Sequence, residues 1–229
     1  MLSALGSRPS AQKGPPMLNS PSSHLYLVAN FTPEMPEQEY LKRCEAALKG
    51  GVGVLQLRAK QSEVKTQIRL GEALRDLTRK HQAVFFVNDR VDVALAVQAD
   101  GVHLGQQDLP PAFARQLAPH LLLGRSTHRP DQALQVVPEQ ADYFAVGPIW
   151  ETPTKAGRAA VGLEYARWAV QKKFPIPFYA IGNVNLDNIT DLVMAGVQRV
   201  AVVRAILNAP DPEQAARGFK KALELVHAG

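Results

Sequence analysis

Residues 84–108 read VFFVNDRVDVALAVQADGVHLGQQD, and this stretch shows the pattern that repeats along the chain. Its two short apolar runs, Val84–Val87 and Gly101–Leu104, have the length of buried strands. The segment between them is long enough for the crossover that parallel strands require. Asn88 and Asp89 follow the first run, and a Gly-Gln-Gln-Asp segment follows the second. The stretch therefore predicts two parallel strands that end in acidic and amide side chains.

The same alternation of a short apolar run and a longer segment of helical period continues from Leu25 onward. Eight such units are present, spaced by roughly 20 to 35 residues, as a parallel β/α repeat requires. The predicted strands are Leu25–Ala29, Val54–Leu57, Val84–Val87, Gly101–Leu104, Leu121–Gly124, Tyr143–Val146, Phe178–Ile181 and Arg199–Val203.

Helices are predicted between these strands, among them Glu37–Lys49, which Gly50-Gly51 closes, Val64–Lys80 and Asp211–His227. Eight β/α units in one α/β domain predict a (β/α)8 TIM barrel over residues 24–229. An open doubly wound sheet is the alternative. It is weaker, because no G-x-G-x-x-G follows the first strand.

Composition and charge limit the classes of function. The chain has 229 residues, of which 46% are hydrophobic, enough for a full core. Its net charge is +5, but without Arg8 and Lys13 of the acid-free N-terminus 24 basic residues face 21 acidic ones, a net charge of only +3. This charge is too small to indicate a nucleic-acid partner, and it agrees with a small phosphorylated substrate. No segment is long enough to span a membrane, so no membrane partner is expected.

Residues 1–23 contain scattered Ser, Pro and Gly and have no steady period, which predicts a disordered N-terminal tail. Without an export signal, we expect a cytoplasmic protein, because phosphorylated intermediates are retained there. The lone Cys44 excludes an internal disulfide. It falls in step with Leu41 and Leu48 on a predicted helix, so we expect it to be buried.

A parallel barrel gathers the carboxyl ends of all its strands at one mouth, where active sites form. Strand alternation sends Gln56, Arg58 and Lys60 to the same side of the second strand. Polar or small residues also follow the other strands, namely Asn88 and Asp89, His103 and Asp108, Arg125, Ser126 and His128, Thr152, Thr154 and Lys155, Gly182-Asn183, and Val203-Arg204. The fold thus predicts one polar mouth.

The residue types in this mouth suit phosphate chemistry. Asp89 and Asp108 offer the hard oxygen ligands that Mg²⁺ prefers alongside substrate phosphates. Six further side chains are suited to surround a diphosphate and to neutralise its charge as it departs. They are Gln56, Arg58, Lys60, Asn88, Ser126 and Lys155. A second anion is expected after strands seven and eight, where Gly182 permits close approach. Two anion sites predict two phosphorylated substrates.

Each of these residues also has a structural explanation. Asp89 and Asp108 both stand where a helix N-cap is expected. His103 is equally well placed as a satisfied interior residue, and Arg58 and Lys60 as salt-bridge partners at the rim. The Thr-Pro-Thr segment at 152–154 also suits an ordinary turn. Fold and composition alone therefore stop at a phosphate-handling, Mg²⁺-dependent enzyme.

Five motifs, in order along the chain, indicate which enzyme family the chain resembles. They are QLRAK at 56–60, NDR at 88–90, ADGVHLGQQD at 99–108, GRSTH at 124–128 and GPIWETPTK at 147–155. Together, over about 25–206, they resemble the thiamine-phosphate synthase family. The resemblance implies a TIM barrel and a transferase of thiamine biosynthesis. Such an enzyme couples 4-amino-2-methyl-5-hydroxymethylpyrimidine diphosphate to a thiazole phosphate and releases pyrophosphate.

The resemblance also implies a role for each matching residue. The pyrimidine diphosphate would be held by Gln56, Arg58, Lys60, Asn88, Ser126 and Lys155, of which Lys155, Ser126 and Arg58 would be catalytic. Asp89 and Asp108 would carry Mg²⁺. The thiazole phosphate would bind at Thr152, Thr154, Gly182, Val203 and Arg204. The implied mechanism is dissociative, without a protein nucleophile, and members of the family are often homodimers.

Two departures and two competing functions remain. Gly182-Asn183-Val184 replaces a glycine pair, and Arg204 stands where a small residue is frequent. A related branch with the same barrel isomerises the thiazole, and it would not need the paired Asp89 and Asp108. A non-catalytic sensor of a precursor is the other alternative, and it would not need a full set of leaving-group residues. The coupling enzyme is therefore favoured.

Overall fold

Eight parallel strands close into one barrel in the order of the sequence. The computed structural model describes Leu18 and residues 20–152 and 159–224. The strands are β1 Leu25–Asn30, β2 Val54–Arg58, β3 Val84–Asn88, β4 Gly101–Leu104, β5 Leu122–Thr127, β6 Tyr143–Val146, β7 Phe178–Ile181 and β8 Val200–Val202. The predicted (β/α)8 TIM barrel is confirmed, and the open-sheet alternative is wrong because β8 pairs with β1.

Helices surround the barrel, and the last one begins at Pro212, one residue after the predicted start at Asp211. In the described part of the chain they are α1 Glu37–Lys49, α2 Val64–Lys80, α3 Val91–Ala96, α4 Pro111–Leu117, α5 Pro130–Gln135, α6 Gly162–Lys172, α7 Ile189–Met194, α8 Arg204–Leu207 and α9 Pro212–Glu224. Both ends of α1 and α2 match the prediction. The predicted end of the last helix, at 225–227, lies outside the described residues. No described helix is long and apolar enough to cross a membrane.

Alternation along each strand builds two cores. Residues pointing outward pack under the helices in a large cluster that includes Cys44, which is fully buried as predicted. Residues pointing inward fill the barrel with rings, among them Tyr26, Phe86 and Tyr143. The Phe86 and Tyr143 rings meet edge to face with centroids 5.1 Å apart. Gly124 makes room for this packing, because a Cβ there would lie 2.2 Å from the Tyr143 ring.

The segment before β1 closes the amino-terminal end of the barrel. Leu18 is buried in the interior cluster, and a single 3-10 turn spans Pro21–Ser23. The Tyr179 hydroxyl donates to the Ser23 carbonyl at 2.8 Å. A Cβ on Gly53 would lie 1.6 Å from the Ser22 carbonyl oxygen, so only glycine fits under this segment. The predicted tail over 1–23 is therefore corrected at its carboxyl end. Residues 1–17 and 19 lie outside the described residues.

Candidate active site

A cavity with a volume of about 110 Å³ opens at the carboxyl ends of the strands. Its lining brings together seven residues that the sequence assigned to the two anion sites, namely Gln56, Arg58, Ser126, Thr152, Gly182, Val203 and Arg204. His103, His128 and Asn183 line the same cavity. Thr154 and Lys155 lie outside the described residues. The two predicted anion sites therefore share one mouth, at the end of the barrel where such folds place their chemistry.

Strand β2 supplies two inward polar side chains at successive levels of the barrel. Gln56 is buried, and its Nε2 donates to the Tyr26 hydroxyl at 2.8 Å. Arg58 lies one step nearer the mouth and donates to the Asn30 side-chain oxygen. Burial lowers the pKa of the Arg58 guanidinium, and the nearby charge of Asp89 opposes the shift. Because an arginine starts from a pKa above 12, Arg58 remains a cation in the cavity wall.

Beside Arg58, two carboxylates meet a lysine. Lys60 Nζ lies 2.7 Å from Asp89 Oδ2, and the Asp89 carboxyl is hydrogen-bonded to that of Asp108. Burial and the contact with Asp108 raise the pKa of Asp89, although Lys60 opposes this. Burial also acts to raise the pKa of Asp108, but its hydrogen bonds with Asp89 and with the Gly105 amide lower it. Of the two carboxyl groups, Asp89 is therefore the one that takes up a proton first as the pH falls.

Neither carboxylate acts as the helix cap that its position in the sequence also allows. Helices α3 and α4 both begin without a side-chain cap. Asp108 Oδ2 accepts instead from the Gly105 amide at 2.6 Å. Asp89 has a φ of 64°, a left-handed conformation that is uncommon outside glycine, and its amide donates to the His103 carbonyl at 2.9 Å. The backbone thus turns sharply at the point that presents this carboxylate.

The acidic pair fits a hard divalent cation. No cluster of three or more His, Cys, Asp or Glu side chains suited to a metal occurs in the described ranges. Mg²⁺ does not require one, since it is commonly held by one or two carboxylates, several waters and substrate phosphate oxygens. Two adjacent carboxyl groups offer such a donor set, because their oxygens are the hard ligands that Mg²⁺ prefers. The residues present therefore fit Mg²⁺ next to a bound phosphate.

The opposite wall of the cavity is formed by the loops after β6, β7 and β8. Gly182 has a φ of 115°, and a Cβ there would lie 2.4 Å from Pro148 Cα. Gly182 therefore packs closely against the backbone of the loop after β6. The sequence analysis predicted only that Gly182 lets an anion approach. Arg204 donates to Asn183 Oδ1 at 3.2 Å, and Asn183 itself has a φ of 53°. These contacts place a cation at the second predicted anion site.

Strand alternation sends Arg125 and Ser126, which were both predicted at the mouth after β5, to opposite sides of the sheet. Ser126 points into the barrel, where its Oγ lies 2.9 Å from His103 Nε2. Arg125 points outward and pairs with Glu139 at 2.7 Å, so it does not reach the mouth. It also donates to the Gly105 carbonyl at 2.6 Å and so braces the loop that carries Asp108. A strict period of two along the strand would have shown this difference.

Two further residues predicted at the diphosphate site, Asn88 and Lys60, are not among the residues that line the cavity. Asn88 ends β3, half-buried, opposite His103 in the strand register. Its parity with Phe86, a member of the interior cluster, makes its position an inward one. Lys60 extends from the rim to the acidic pair, with about half of its side chain exposed. These residues therefore stand at the edge between the cavity and the candidate metal site.

Comparisons with known proteins agree with this geometry. Residues 25–206 match the family model described as thiamine monophosphate synthase. A thiamine-phosphate synthase of Deinococcus radiodurans is 51% identical over 208 residues, which cover 89% of this chain and 74% of the relative. One of Thermus thermophilus is 50% identical over 199 residues, covering 87% and 96%. The solved structure of a thiamine phosphate pyrophosphorylase from Pyrococcus furiosus superposes with a TM-score of 0.81 at 36% identity, covering 90% and 97%.

Proposed function

The chain belongs to the thiamine monophosphate synthase family, and on this premise we propose how its mouth forms thiamine phosphate. It is a transferase of thiamine biosynthesis. The proposed substrates are 4-amino-2-methyl-5-hydroxymethylpyrimidine diphosphate and a thiazole phosphate, and the products are thiamine phosphate and pyrophosphate. The observation that carries the proposal is the electrostatic interaction between the cavity wall and the acidic pair. Arg58 lines the cavity, and its charge interacts with that of Asp89 in the acidic pair.

The proposed reaction is dissociative and needs no protein nucleophile. The bond between the pyrimidine methylene carbon and the diphosphate oxygen breaks, and its electron pair leaves with the diphosphate. The thiazole nitrogen then donates its lone pair to the methylene cation and forms the new C–N bond. No proton is gained or lost in these two steps. The protein therefore acts by stabilising the leaving group, by positioning the second substrate and by excluding water.

The leaving diphosphate is assigned to the β2 side of the mouth. Arg58 and Lys60 supply positive charge there, and Ser126 supplies a hydroxyl from β5. Gln56 and Asn88 contribute amides at inward positions of β2 and β3. Lys155 completes the set by its place in the sequence motif. Cations that meet the departing oxygens lower the barrier more than they stabilise the bound substrate, because the charge grows as the bond breaks.

Asp89 and Asp108 would hold Mg²⁺, the proposed cofactor. A bound Mg²⁺ would supply a Lewis acid that neutralises charge on the diphosphate. Lys60 now occupies the space beside Asp89. Because half of the Lys60 side chain is exposed, its ion pair with Asp89 contributes little and is readily exchanged. Lys60 is thereby available to the diphosphate when the metal binds.

The thiazole phosphate is assigned to the wall formed after β6, β7 and β8. Thr152, Gly182, Val203 and Arg204 line it, and Thr154 follows in the same motif. The Arg204 guanidinium is oriented by Asn183, so it is available as a charged donor to a phosphate oxygen. A phosphate held there would position the thiazole ring over the centre of the mouth, between the two walls.

Product formation with and without metal tests the proposal. The purified chain is given both phosphorylated substrates, first with Mg²⁺ and then with a chelator, and pyrophosphate and thiamine phosphate are measured. We expect both products in equal amounts, and only with metal. Equal amounts with undiminished rates in chelator would reject the metal role. Conversion of the thiazole phosphate alone, without pyrophosphate release, would favour the isomerase, and binding without turnover would favour the sensor.

We further propose that the protein acts in the cytoplasm as a homodimer. The cytoplasm retains its phosphorylated substrates. The dimer contact is assigned to helices α4 and α5 and the turn after α5, where four apolar side chains are each at least 44% exposed, namely Phe113, Leu117, Leu134 and Val137. Phe113→Ser should lower the mass measured by light scattering from two chains to one. Met194→Ser, at an 81% exposed position on α7, should leave the mass unchanged.

A further inference from the structure

A chain of side-chain hydrogen bonds crosses the barrel interior below the cavity. Gln56 Nε2 donates to Tyr26 Oη at 2.8 Å, and Tyr26 Oη lies 2.8 Å from Tyr143 Oη. Tyr143 Oη lies 2.8 Å from His103 Nδ1, and His103 Nε2 lies 2.9 Å from Ser126 Oγ. This interior chain joins two residues of the proposed diphosphate site, Gln56 and Ser126. The three side chains between them have no role in the function proposed above.

One continuous donor direction through the interior chain begins at Gln56. An amide nitrogen only donates, so Tyr26 Oη accepts from Gln56. Either hydroxyl can donate in the bond between Tyr26 and Tyr143, and the direction that continues from Gln56 has Tyr26 as the donor. Burial raises the pKa of both tyrosines far above the usual value, so both hydroxyls keep their protons. In this direction Tyr143 donates to His103 Nδ1, and a neutral imidazole then carries its proton on Nε2, where it faces Ser126 Oγ.

We propose that Tyr26, Tyr143 and His103 are positioning residues that turn the Ser126 hydroxyl proton toward the departing diphosphate. Ser126 Oγ accepts from His103, so its own proton is directed to another acceptor, and the cavity is beside it. Diphosphate oxygens only accept hydrogen bonds, and their charge grows as the C–O bond breaks. A donor that is oriented in advance stabilises this charge without reorganisation.

The tautomer of His103 tests the direction of the interior chain without turnover. The inference rests on the proposed function, but ¹⁵N NMR of the imidazole in the full chain needs no substrate, so the two can fail separately. We expect the Nε2–H tautomer in the wild type. In Tyr143→Phe, which removes the donor to Nδ1, we expect a mixture with the Nδ1–H form. An Nδ1–H tautomer in the wild type, or an unchanged tautomer in the variant, would overturn the proposal.

Kinetics test whether the tyrosines act through Ser126. Tyr143→Phe should lower kcat about 10-fold and leave the KM of the thiazole phosphate unchanged. In a Ser126→Ala background the same substitution should change kcat by less than about twofold, because residues that act through one another are not additive. Equal losses in both backgrounds would assign Tyr143 a packing role and overturn the proposal. Tyr26→Phe, which breaks the chain one link earlier, serves if Tyr143→Phe does not fold.

Tyr40→Phe is the matched control. Tyr40 is also fully buried, and its hydroxyl donates to the Ala29 carbonyl at 2.9 Å in the cluster outside the barrel. The substitution removes a buried hydroxyl hydrogen bond of the same kind without touching the interior chain. We expect unchanged kcat and an unchanged His103 tautomer. A loss of kcat equal to that of Tyr143→Phe would attribute both effects to general destabilisation and would overturn the proposal.

Discussion

Lys60 Nζ lies 2.7 Å from Asp89 Oδ2, and the charge of Asp89 also interacts with Arg58 in the cavity wall. The Lys60 ammonium offsets part of the negative charge of the acidic pair. This ion pair is exchangeable, because a half-exposed lysine is free to reorient. A cation at the proposed metal site would therefore displace only a half-exposed ammonium from Asp89.

Asp89→Asn tests the metal role by removing one anionic ligand at almost constant volume. We expect kcat to fall at least about 100-fold at saturating substrates, because charge on the leaving group loses its stabilisation. The Mg²⁺ concentration for half-maximal rate should also rise. Asp92→Asn, a nearby control on α3 whose side chain is 64% exposed, should keep both values. Near-normal turnover of Asp89→Asn at saturating Mg²⁺ would reject Asp89 as a ligand.

The same substitution should stabilise the metal-free fold. The pKa of Asp89 is raised on folding, so its contribution to stability is present below the usual aspartate pKa of about 4 and is lost as pH rises through the folded value. At pH 7 the folded protein carries an unfavourable charge that the asparagine variant lacks. We expect the Tm of Asp89→Asn in chelator to exceed that of the wild type by about 2–4 °C at pH 7. A stability change of about 1 kcal/mol shifts the Tm of a chain of this size by that amount. The difference should shrink toward pH 4, and a lower Tm than the wild type at pH 7 would contradict the prediction.

The barrel was predictable because its strands are buried on both faces and therefore appear as continuous apolar runs. The boundaries of β5 were harder to predict from the sequence. The prediction ended this strand at Gly124, but it continues to Thr127. Polar residues at its end suggested a loop, whereas the structure satisfies them within the sheet, with the Thr127 hydroxyl donating to the Ala145 carbonyl at 2.9 Å. Such pairing depends on the neighbouring strand and is invisible in local sequence.

The candidate site was predictable only as far as strand period and residue type reach. Alternation along β2 correctly predicted that Gln56 and Arg58 line the cavity. The interior chain was missed because Tyr26 and Tyr143 are 117 residues apart and resemble ordinary core residues in sequence. The left-handed backbone at Asp89 was missed for a different reason, since nothing in an Asn-Asp-Arg string requires it. Tertiary contacts decide both features.

Arg204→Ala tests the second anion site. Arg204 lines the cavity and donates to Asn183, so its removal takes a charged donor from the proposed thiazole phosphate. We expect the KM of the thiazole phosphate to rise about 10-fold, with kcat within about threefold of the wild type, because this contact is made in both the ground and transition states. Arg217→Ala, an exposed control on α9, should change neither value. An unchanged KM in Arg204→Ala would exclude a direct phosphate contact.

Gly182 and Gly162 form a matched pair that separates backbone strain from close packing. Both have positive φ, 115° and 72°, so an alanine at either position costs about 1 kcal/mol for the left-handed backbone. A Cβ at Gly162 meets nothing described within 4 Å, whereas one at Gly182 lies 2.4 Å from Pro148 Cα. We expect urea unfolding to show a loss of about 1 kcal/mol for Gly162→Ala and at least about 3 kcal/mol for Gly182→Ala. The KM of the thiazole phosphate should rise only in Gly182→Ala, because the displaced backbone belongs to that wall of the cavity. Equal losses of stability would show that the β6 loop yields without cost, and the role given to Gly182 would then be wrong.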